Sequence, residues 1–183
     1  MIYQEVSHID GVQIFNLEST LDSRGVFLKY NPSQGFTSSV NSVALSFNPK
    51  MGTLRGLHFQ VEPFAEEKLV ACVQGSILEV IVDLRPGSNT LGKWMVLKMK
   101  AEHAQQLYLP KGLAHGFQTL QSDSIVCYSL GARYAPEHSF SINPLENSLI
   151  KWPISDITIS EKDANGITLP IAIRKYADSD RWI

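Results

Sequence analysis

Short apolar runs of β-forming residues, separated by turn sequences, fill most of the chain and constrain its fold more than any other feature. They recur at spacings of roughly ten residues, which fits an all-β sandwich or barrel, and helix signals are few. Gln74-Gly75-Ser76 predicts a tight connection, and residues 86–89 predict a loop. The predicted strands are 12–17, 26–30, 43–48, 54–60, 68–73, 77–84, 94–100, 106–109, 115–120, 124–130 and 139–143.

Length and composition narrow the class of protein. The 183 residues, 44% of them hydrophobic, suffice for a core, and we expect a single domain over residues 1–183. A net charge of −2 gives no basic field for nucleic acid. The N-terminal residues lack a signal-peptide pattern, and every apolar run is shorter than the roughly 18 residues of a membrane span. We therefore expect a cytoplasmic protein that binds neither nucleic acid nor membrane.

Polar residues interrupt several of the strand-like runs. They are Arg55, His58, Gln60, Lys68 and His115. Strand side chains alternate, so His58 lies on the face opposite to Leu57 and Phe59. A charged group on a buried face costs several kcal/mol unless it is paired or used. Singly, each has an ordinary explanation, such as a hydrogen-bonded core histidine or a solvated lysine, but together they indicate a polar site inside a β-structure.

The same alternation extends the polar face to other strands. Lys68 shares a face with Val70 and Cys72, so it is drawn inward if they are buried. On the run 77–84, Glu79 and Asp83 share a face with Ile81, which predicts one polar side for that strand.

Tyr128 and Asp163 each have an ordinary structural explanation when they are considered singly. Tyr128 is then a core tyrosine and Asp163 a cap or surface charge, and Ser160 and Asp163 have the spacing of a helix capping box.

Metal and nucleotide-cofactor motifs are absent from the sequence. A metal cupin would need a histidine two positions after His58, where Gln60 stands, and divalent metals generally take three or four protein ligands. Cys72 and Cys127 are not a CxxC pair, and we interpret both as buried free thiols. No GxGxxG, Walker-type or GxSxG motif is present. We therefore predict no metal and no organic cofactor.

Longer motifs make the chain recognisable. They are RGVF (24–27), GTLRGLHFQ (52–60), KLV (68–70), VDLR (82–85), LPKGLAHGF (109–117), Tyr128, YAPE (134–137), WP (152–153) and SEKD (160–163). With these motifs in this order, the chain resembles the dTDP-4-dehydrorhamnose 3,5-epimerase family of cupin-fold enzymes. The resemblance implies a cupin-type jelly roll and a homodimer. It also implies an isomerase that inverts C3, C5 or both in a nucleotide-linked 4-keto-6-deoxyhexose.

The resemblance also assigns catalytic roles. His58 looks like the base, with Asp163 as its partner, and Tyr128 looks like the acid on the other face of the sugar. Lys68 looks like the cation near the substrate ketone. These residue types suit the reaction, because a proton next to a ketone is removed to give an enolate, whose charge requires a donor.

Substrate-binding roles follow in the same way. Arg55 is similar to the family's pyrophosphate-binding arginine, while Arg24 and Phe27 would reach the neighbouring subunit's site. The remaining residues implied to contact the substrate are Gln60, His115, Tyr134 and Lys162.

The sequence departs from the family at four positions. Val43 and Leu45 replace a Gln-x-Asn pattern, Lys29 replaces an acid, and Ser139 stands where a glutamate is usual. The first three lie where recognition of base or sugar is implied, so a dTDP-, CDP- or GDP-linked substrate remains open. The alternatives are a nucleotide-sugar 3,4-ketoisomerase, a metal cupin, and a sugar-binding cupin without catalysis.

Overall fold

The computed structural model describes residues 4–146 and 150–180, without the side chain of residue 180. Its strands are β1 (Gln13–Asn16), β2 (Glu18–Asp22), β3 (Gly25–Lys29), β4 (Ser42–Asn48), β5 (Thr53–Gln60), β6 (Lys68–Gln74), β7 (Ser76–Asp83), β8 (Trp94–Lys100), β9 (Gln105–Leu109), β10 (Leu113–Thr119), β11 (Ser124–Leu130), β12 (Ser139–Ser141) and β13 (Thr158–Ile159). The helices are α1 (Glu161–Ala164) and α2 (Leu169–Asp180), with 3-10 turns at Ala101–His103 and Pro136–His138.

Two sheets contain most of the strands. One has the order β1-β9-β6-β11-β4, and the other has the order β12-β5-β10-β7-β8, with β13 added to β5 in parallel. The other pairs within the two sheets are antiparallel, and β2 and β3 form a separate hairpin. This is the two-sheet arrangement of a jelly roll, so the predicted all-β fold class is confirmed.

The first of two hydrophobic clusters includes inward-facing residues of both sheets. Val70, Leu107 and Val126 come from the five-stranded sheet, and Ile81 and Phe117 come from the other. Interdigitated side chains from facing sheets form such cores. Val70 of β6 and Ile81 of β7 are fully buried in this cluster, so the face of each strand that also carries polar residues is turned inward.

The second cluster fills the other face of the six-stranded sheet. Leu57 and Phe59 of β5 pack there with Leu169, Ala172 and Tyr176 of α2. The spacing of the three α2 residues puts them on one side of a helix. Because Leu57 and Phe59 face α2, His58 faces the space between the sheets, as predicted.

All eleven predicted strands exist, with ends within two residues of those observed. Strand β2 was missed because its five residues are all exposed and show no buried alternation. Helix α2 packs against the body of the protein through its buried residues Ala172 and Tyr176, and residues 181–183 lie outside the described part. Neither helix of the described residues has the length and apolar character that a membrane-spanning helix requires.

The expectation of two buried cysteines is half right. Cys72 is buried, but Cys127 is only partly so. Tyr128 faces inward, and its neighbour Cys127 therefore points to the outer side of the five-stranded sheet. Both cysteines are free thiols.

Candidate active site

A cavity of about 360 Å³ opens between the two sheets and collects most of the predicted site residues. The predicted residues that line it are Arg55, His58, Gln60, Lys68, His115, Tyr128, Tyr134 and Lys162. His58 and His115 come from β5 and β10 of the six-stranded sheet, and they are paired in register. Lys68 and Tyr128 come from β6 and β11 of the facing sheet. The two groups therefore occupy opposite walls of one cavity.

His58 is held by a buried carboxylate. Its Nε2 lies 2.7 Å from Oδ1 of Asp163, which also accepts a hydrogen bond from the Ser141 hydroxyl at 2.8 Å. The other oxygen, Oδ2, accepts the Gly56 N–H at 3.2 Å. Burial opposes ionisation of Asp163, but the hydrogen bonds from His58, Ser141 and Gly56 outweigh it and lower the pKa of Asp163 to about 2. The carboxylate is therefore ionised at neutral pH and fixes the orientation of the imidazole.

Asp163 reaches this position from the start of α1. The Ser160 hydroxyl accepts the Asp163 N–H at 3.1 Å, so Ser160 is the N-cap, as the sequence spacing suggested. The Asp163 carboxylate does not return to Ser160 to complete a capping box, because it is bound to His58 instead.

Two glycines allow β5 and β10 to approach closely beside the histidines. Gly56 has φ +114°, and a Cβ there would lie 2.6 Å from the Gly116 Cα. A Cβ on Gly116 would lie 2.4 Å from the Arg55 carbonyl oxygen. The register between the strands shifts at this point, between His115 and Phe117. Only glycine fits at both positions without displacing the backbone.

His115 of β10 is paired with Glu79 of β7, which the sequence predicted to lie on the polar side of that strand. The Nδ1 atom of His115 lies 2.6 Å from Oε1 of Glu79, and both side chains are buried. Burial raises the pKa of Glu79 well above its usual value, against the opposing charge of Lys68, and lowers the pKa of His115 well below its own. Both directions favour the neutral forms, so we describe the pair as a hydrogen bond between uncharged groups.

Tyr128 faces these residues from the other sheet. Its ring centroid lies 6.1 Å from that of His115, edge to face. Burial raises the pKa of Tyr128 well above its usual value, although the charge of Arg55 opposes the shift. The phenol therefore keeps its proton at neutral pH, as a general acid must.

Arg55 and Gln60 are both bound to other parts of the protein. The Arg55 Nε donates to Oδ1 of Asn48 at 2.8 Å, and Asn48 is almost fully buried. The Gln60 amide donates to the carbonyls of Phe64 and Arg133 and accepts the Ala135 N–H. Gln60 thus lines the cavity and also secures the loop that carries Tyr134.

Tyr134 and Lys162 lie together at the cavity. The Lys162 Nζ is 3.5 Å from the Tyr134 hydroxyl and 5.8 Å from its ring centroid. Tyr134 is 65% exposed, which leaves its ring free to contact a bound molecule.

Arg24 and Phe27 lie elsewhere, on the β2–β3 hairpin. Phe27 is 69% exposed, and the Arg24 guanidinium pairs with Asp22 at 2.6 Å in solvent. The structure therefore does not bring them into the cavity of their own chain. The positions that depart from the family lie in three places. Val43 and Leu45 are exposed on β4, and Leu45 also lines the cavity together with Ser139. Lys29 lies on the hairpin, where it pairs with Glu18.

The residues around the cavity that were not predicted include Asn48, Glu66 and Ser141. Glu66 carried a usable signal, because it stands two positions before Lys68 and so shares its face in an extended chain. Asn48 and Ser141 carried none, since both act through contacts that only the folded chain creates. Within residues 4–146 and 150–180, no group of three or more His, Cys, Asp or Glu is placed to hold a metal ion.

Comparison with known proteins identifies the family of the chain. The family model described as dTDP-4-dehydrorhamnose 3,5-epimerase matches residues 6–170. The chain belongs to this family. The dTDP-4-dehydrorhamnose 3,5-epimerase of Sinorhizobium fredii is 38% identical over 172 residues, covering 90% of this chain and 88% of that protein. A dTDP-4-dehydro-6-deoxyglucose 3-epimerase from a Streptomyces species is 42% identical over 126 residues, covering 67% of this chain and 64% of that protein.

A solved structure agrees as well. The Legionella pneumophila dTDP-6-deoxy-D-glucose-3,5-epimerase, in complex with dTDP-4-keto-L-rhamnose, superposes with a TM-score of 0.83 at 32% identity. The match covers 92% of each chain. The cupin-type jelly roll and the resemblance stated from the motifs are confirmed.

Proposed function

We propose that this protein is an epimerase of a nucleotide-linked 4-keto-6-deoxyhexose. The observation that carries the proposal is the opposition of His58, with its ionised partner Asp163, to protonated Tyr128 across one cavity. A proton removed from one face of a sugar carbon and returned to the other inverts that carbon. An enzyme for this reaction needs a base and an acid on opposite sides of the ring.

His58 removes the proton next to the ketone, and Asp163 stabilises the imidazolium that forms. The electrons of the broken C–H bond pass to the ketone oxygen, which becomes an enolate. Lys68 donates to that oxygen from the opposite wall. Tyr128 then returns a proton to the other face of the carbon. The ketone itself accepts the electrons, so we propose a reaction without a metal or an organic cofactor.

We propose that Arg55 binds the pyrophosphate, because it is a cation held at the cavity by Asn48. Exposed Tyr134 with Lys162, and His115, complete the contacts to the substrate. The relatives include a 3,5-epimerase and a 3-epimerase, both named for dTDP sugars, so dTDP is the first nucleotide to test.

We further propose a homodimer in which the hairpin of each subunit completes the site of the other. The hairpin carries Phe27 and Leu21, each more than two-thirds exposed. Strand β4 ends its sheet and exposes Val43, Leu45 and Phe47 along one face. An apolar edge strand without a neighbour among the described residues is a template for pairing with another chain.

Subunit mixing tests the dimer. Arg24→Ala and His58→Ala homodimers, each weakly active, are mixed and allowed to exchange subunits. If the hairpin acts in the partner's site, each mixed dimer has one intact site, and about a quarter of wild-type activity returns after random exchange. If the hairpin acts in its own chain, every site keeps one defect, activity does not return, and the proposal fails.

The deciding experiment for the reaction uses D2O and three substrates, namely dTDP-, CDP- and GDP-linked 4-keto-6-deoxyhexoses. Deuterium gained at C3, at C5 or at both, with inversion, identifies the nucleotide and the centres together. A product with its carbonyl at C3 would identify a ketoisomerase instead. Binding without any exchange would identify a sugar-binding protein, and either result would overturn the proposal.

A further inference from the structure

Glu66 lines the cavity but has no part in the reaction described above. One of its carboxylate oxygens lies 2.5 Å from the Lys68 Nζ, and each side chain is only 9% exposed. Two charges removed from water in this way are strongly unfavourable unless they are paired. The contact is therefore an ion pair in the wall of the cavity.

Lys68 also lines the same cavity as His115, which is bound to a second carboxyl group, that of Glu79. Glu79 uses Oε1 to contact His115, while its Oε2 has no hydrogen-bond partner within the described part of the chain. Glu66 is therefore the carboxylate that the ammonium of Lys68 contacts, and without it this largely buried cation would lose the contact that fixes its position.

We propose that Glu66 is a positioning residue for Lys68. Its charge holds the ammonium at the cavity wall. An ammonium has three N–H donors, so the contact with Glu66 leaves two for the oxygen of the substrate. This inference rests on the proposed function, because it takes Lys68 as the donor to the enolate.

The proposal predicts which kinetic constant changes. The enolate charge develops only as the proton leaves, so a misplaced Lys68 weakens the transition state more than the bound substrate. Loss of Glu66 should therefore lower kcat and leave KM almost unchanged. Loss of a residue needed only for folding would lower the amount of active protein but would not change kcat per active site. The number of active sites is measured by titration with bound nucleotide.

The test compares Glu66→Gln with a matched control. Glutamine keeps the shape and one hydrogen-bond acceptor but removes the charge, and kcat should fall about 10-fold to 100-fold with KM within about 2-fold. The control is Glu102→Gln. Glu102 pairs with Lys100 at 2.7 Å across the same two-residue spacing, but its side chain is 69% exposed. This control should behave as wild type.

A double-mutant cycle with Lys68→Met separates positioning from direct contact with the substrate. In that background, Glu66→Gln should change kcat by less than about 2-fold. If Glu66→Gln still lowers kcat in the Lys68→Met background, Glu66 acts on the substrate itself. If Glu66→Gln alone leaves kcat unchanged, Glu66 has no role in the reaction. Either result overturns the inference. Glu66→Asp, which keeps the charge, provides a second arm if the glutamine variant folds poorly, and it should retain more activity than glutamine.

The two proposals fail differently. If the wild-type protein incorporates no deuterium, the proposed function is wrong. If it does so and Glu66→Gln matches it, only the role of Glu66 is wrong.

Discussion

The Asp163→Asn variant measures the charge that holds His58. The Asp163 side chain is 5% exposed and accepts three hydrogen bonds, from His58, Ser141 and the Gly56 N–H. These contacts outweigh the effect of burial and lower the pKa of Asp163 from 3.8 to about 2. A difference of nearly two pKa units corresponds to between about 2 and 3 kcal/mol of preference for the ionised form in the folded protein.

The direction of the change in stability with pH follows from which state, folded or unfolded, binds the proton more tightly. The unfolded chain takes up a proton at a higher pH than the folded one, so the stabilisation is fully present above the unfolded pKa. It is lost as the pH falls through the folded pKa, by about 1 kcal/mol at pH 3 and about 2 kcal/mol at pH 2. Asparagine cannot titrate, so the stability difference between wild type and Asp163→Asn should shrink by these amounts.

Urea unfolding at pH 6 and pH 3, at one fixed protein concentration and followed by tryptophan fluorescence, checks this expectation. The matched control is Asp10→Asn, because Asp10 also contacts a histidine, His8 at 3.4 Å, but its side chain is 70% exposed. Its stability difference from wild type should not depend on pH to a comparable extent. A pH-independent difference for Asp163→Asn would refute the reasoning and mean that the hydrogen bonds do not hold the charge.

Four further variants test other contacts. His58→Ala should lower deuterium exchange at C3 and C5 by about 10²-fold to 10⁴-fold, and exchange at the wild-type rate would show that another residue is the base. Tyr128→Phe should keep exchange at one or both centres while net inversion falls, and Asp163→Asn should fall between these two variants in assays that compare both quantities. Asn48→Ala should raise KM about 10-fold with a smaller change in kcat, because Arg55 loses the acceptor of its Nε; steady-state kinetics checks this. Gly116→Ala should lower the unfolding free energy by about 2 kcal/mol in urea titrations, because the added Cβ meets backbone at 2.4 Å.

Alternation along single strands predicted much of the site. On β5 it separated His58 from Leu57 and Phe59, and on β6 it turned Lys68 inward with Val70, as the structure confirms. Such predictions succeed because side-chain direction in a strand is a local property. The reading of Lys68 as a solvated residue is wrong for the same reason.

Contacts between distant segments were beyond this reasoning. Asp163 is 105 residues from His58, and only the family resemblance joined them. Asn48 and Ser141 are ordinary polar residues in sequence, and their roles exist only after β4, β5 and β12 have come together. Helix α2 was missed although Leu169, Ala172 and Tyr176 have helical spacing, because that pattern is short and ends close to the chain terminus.

The opposition of His58 and Tyr128 across the cavity depends on the register of β5. A shift of one residue would turn His58 away from the cavity and bring Leu57 or Phe59 into it. Burial of those two side chains beneath α2 opposes such a shift, because it would expose both to the polar cavity. The apolar packing behind the sheet thus holds the His58 side chain in front of it. We therefore expect truncations in α2, far from the chemistry, to lower activity together with stability.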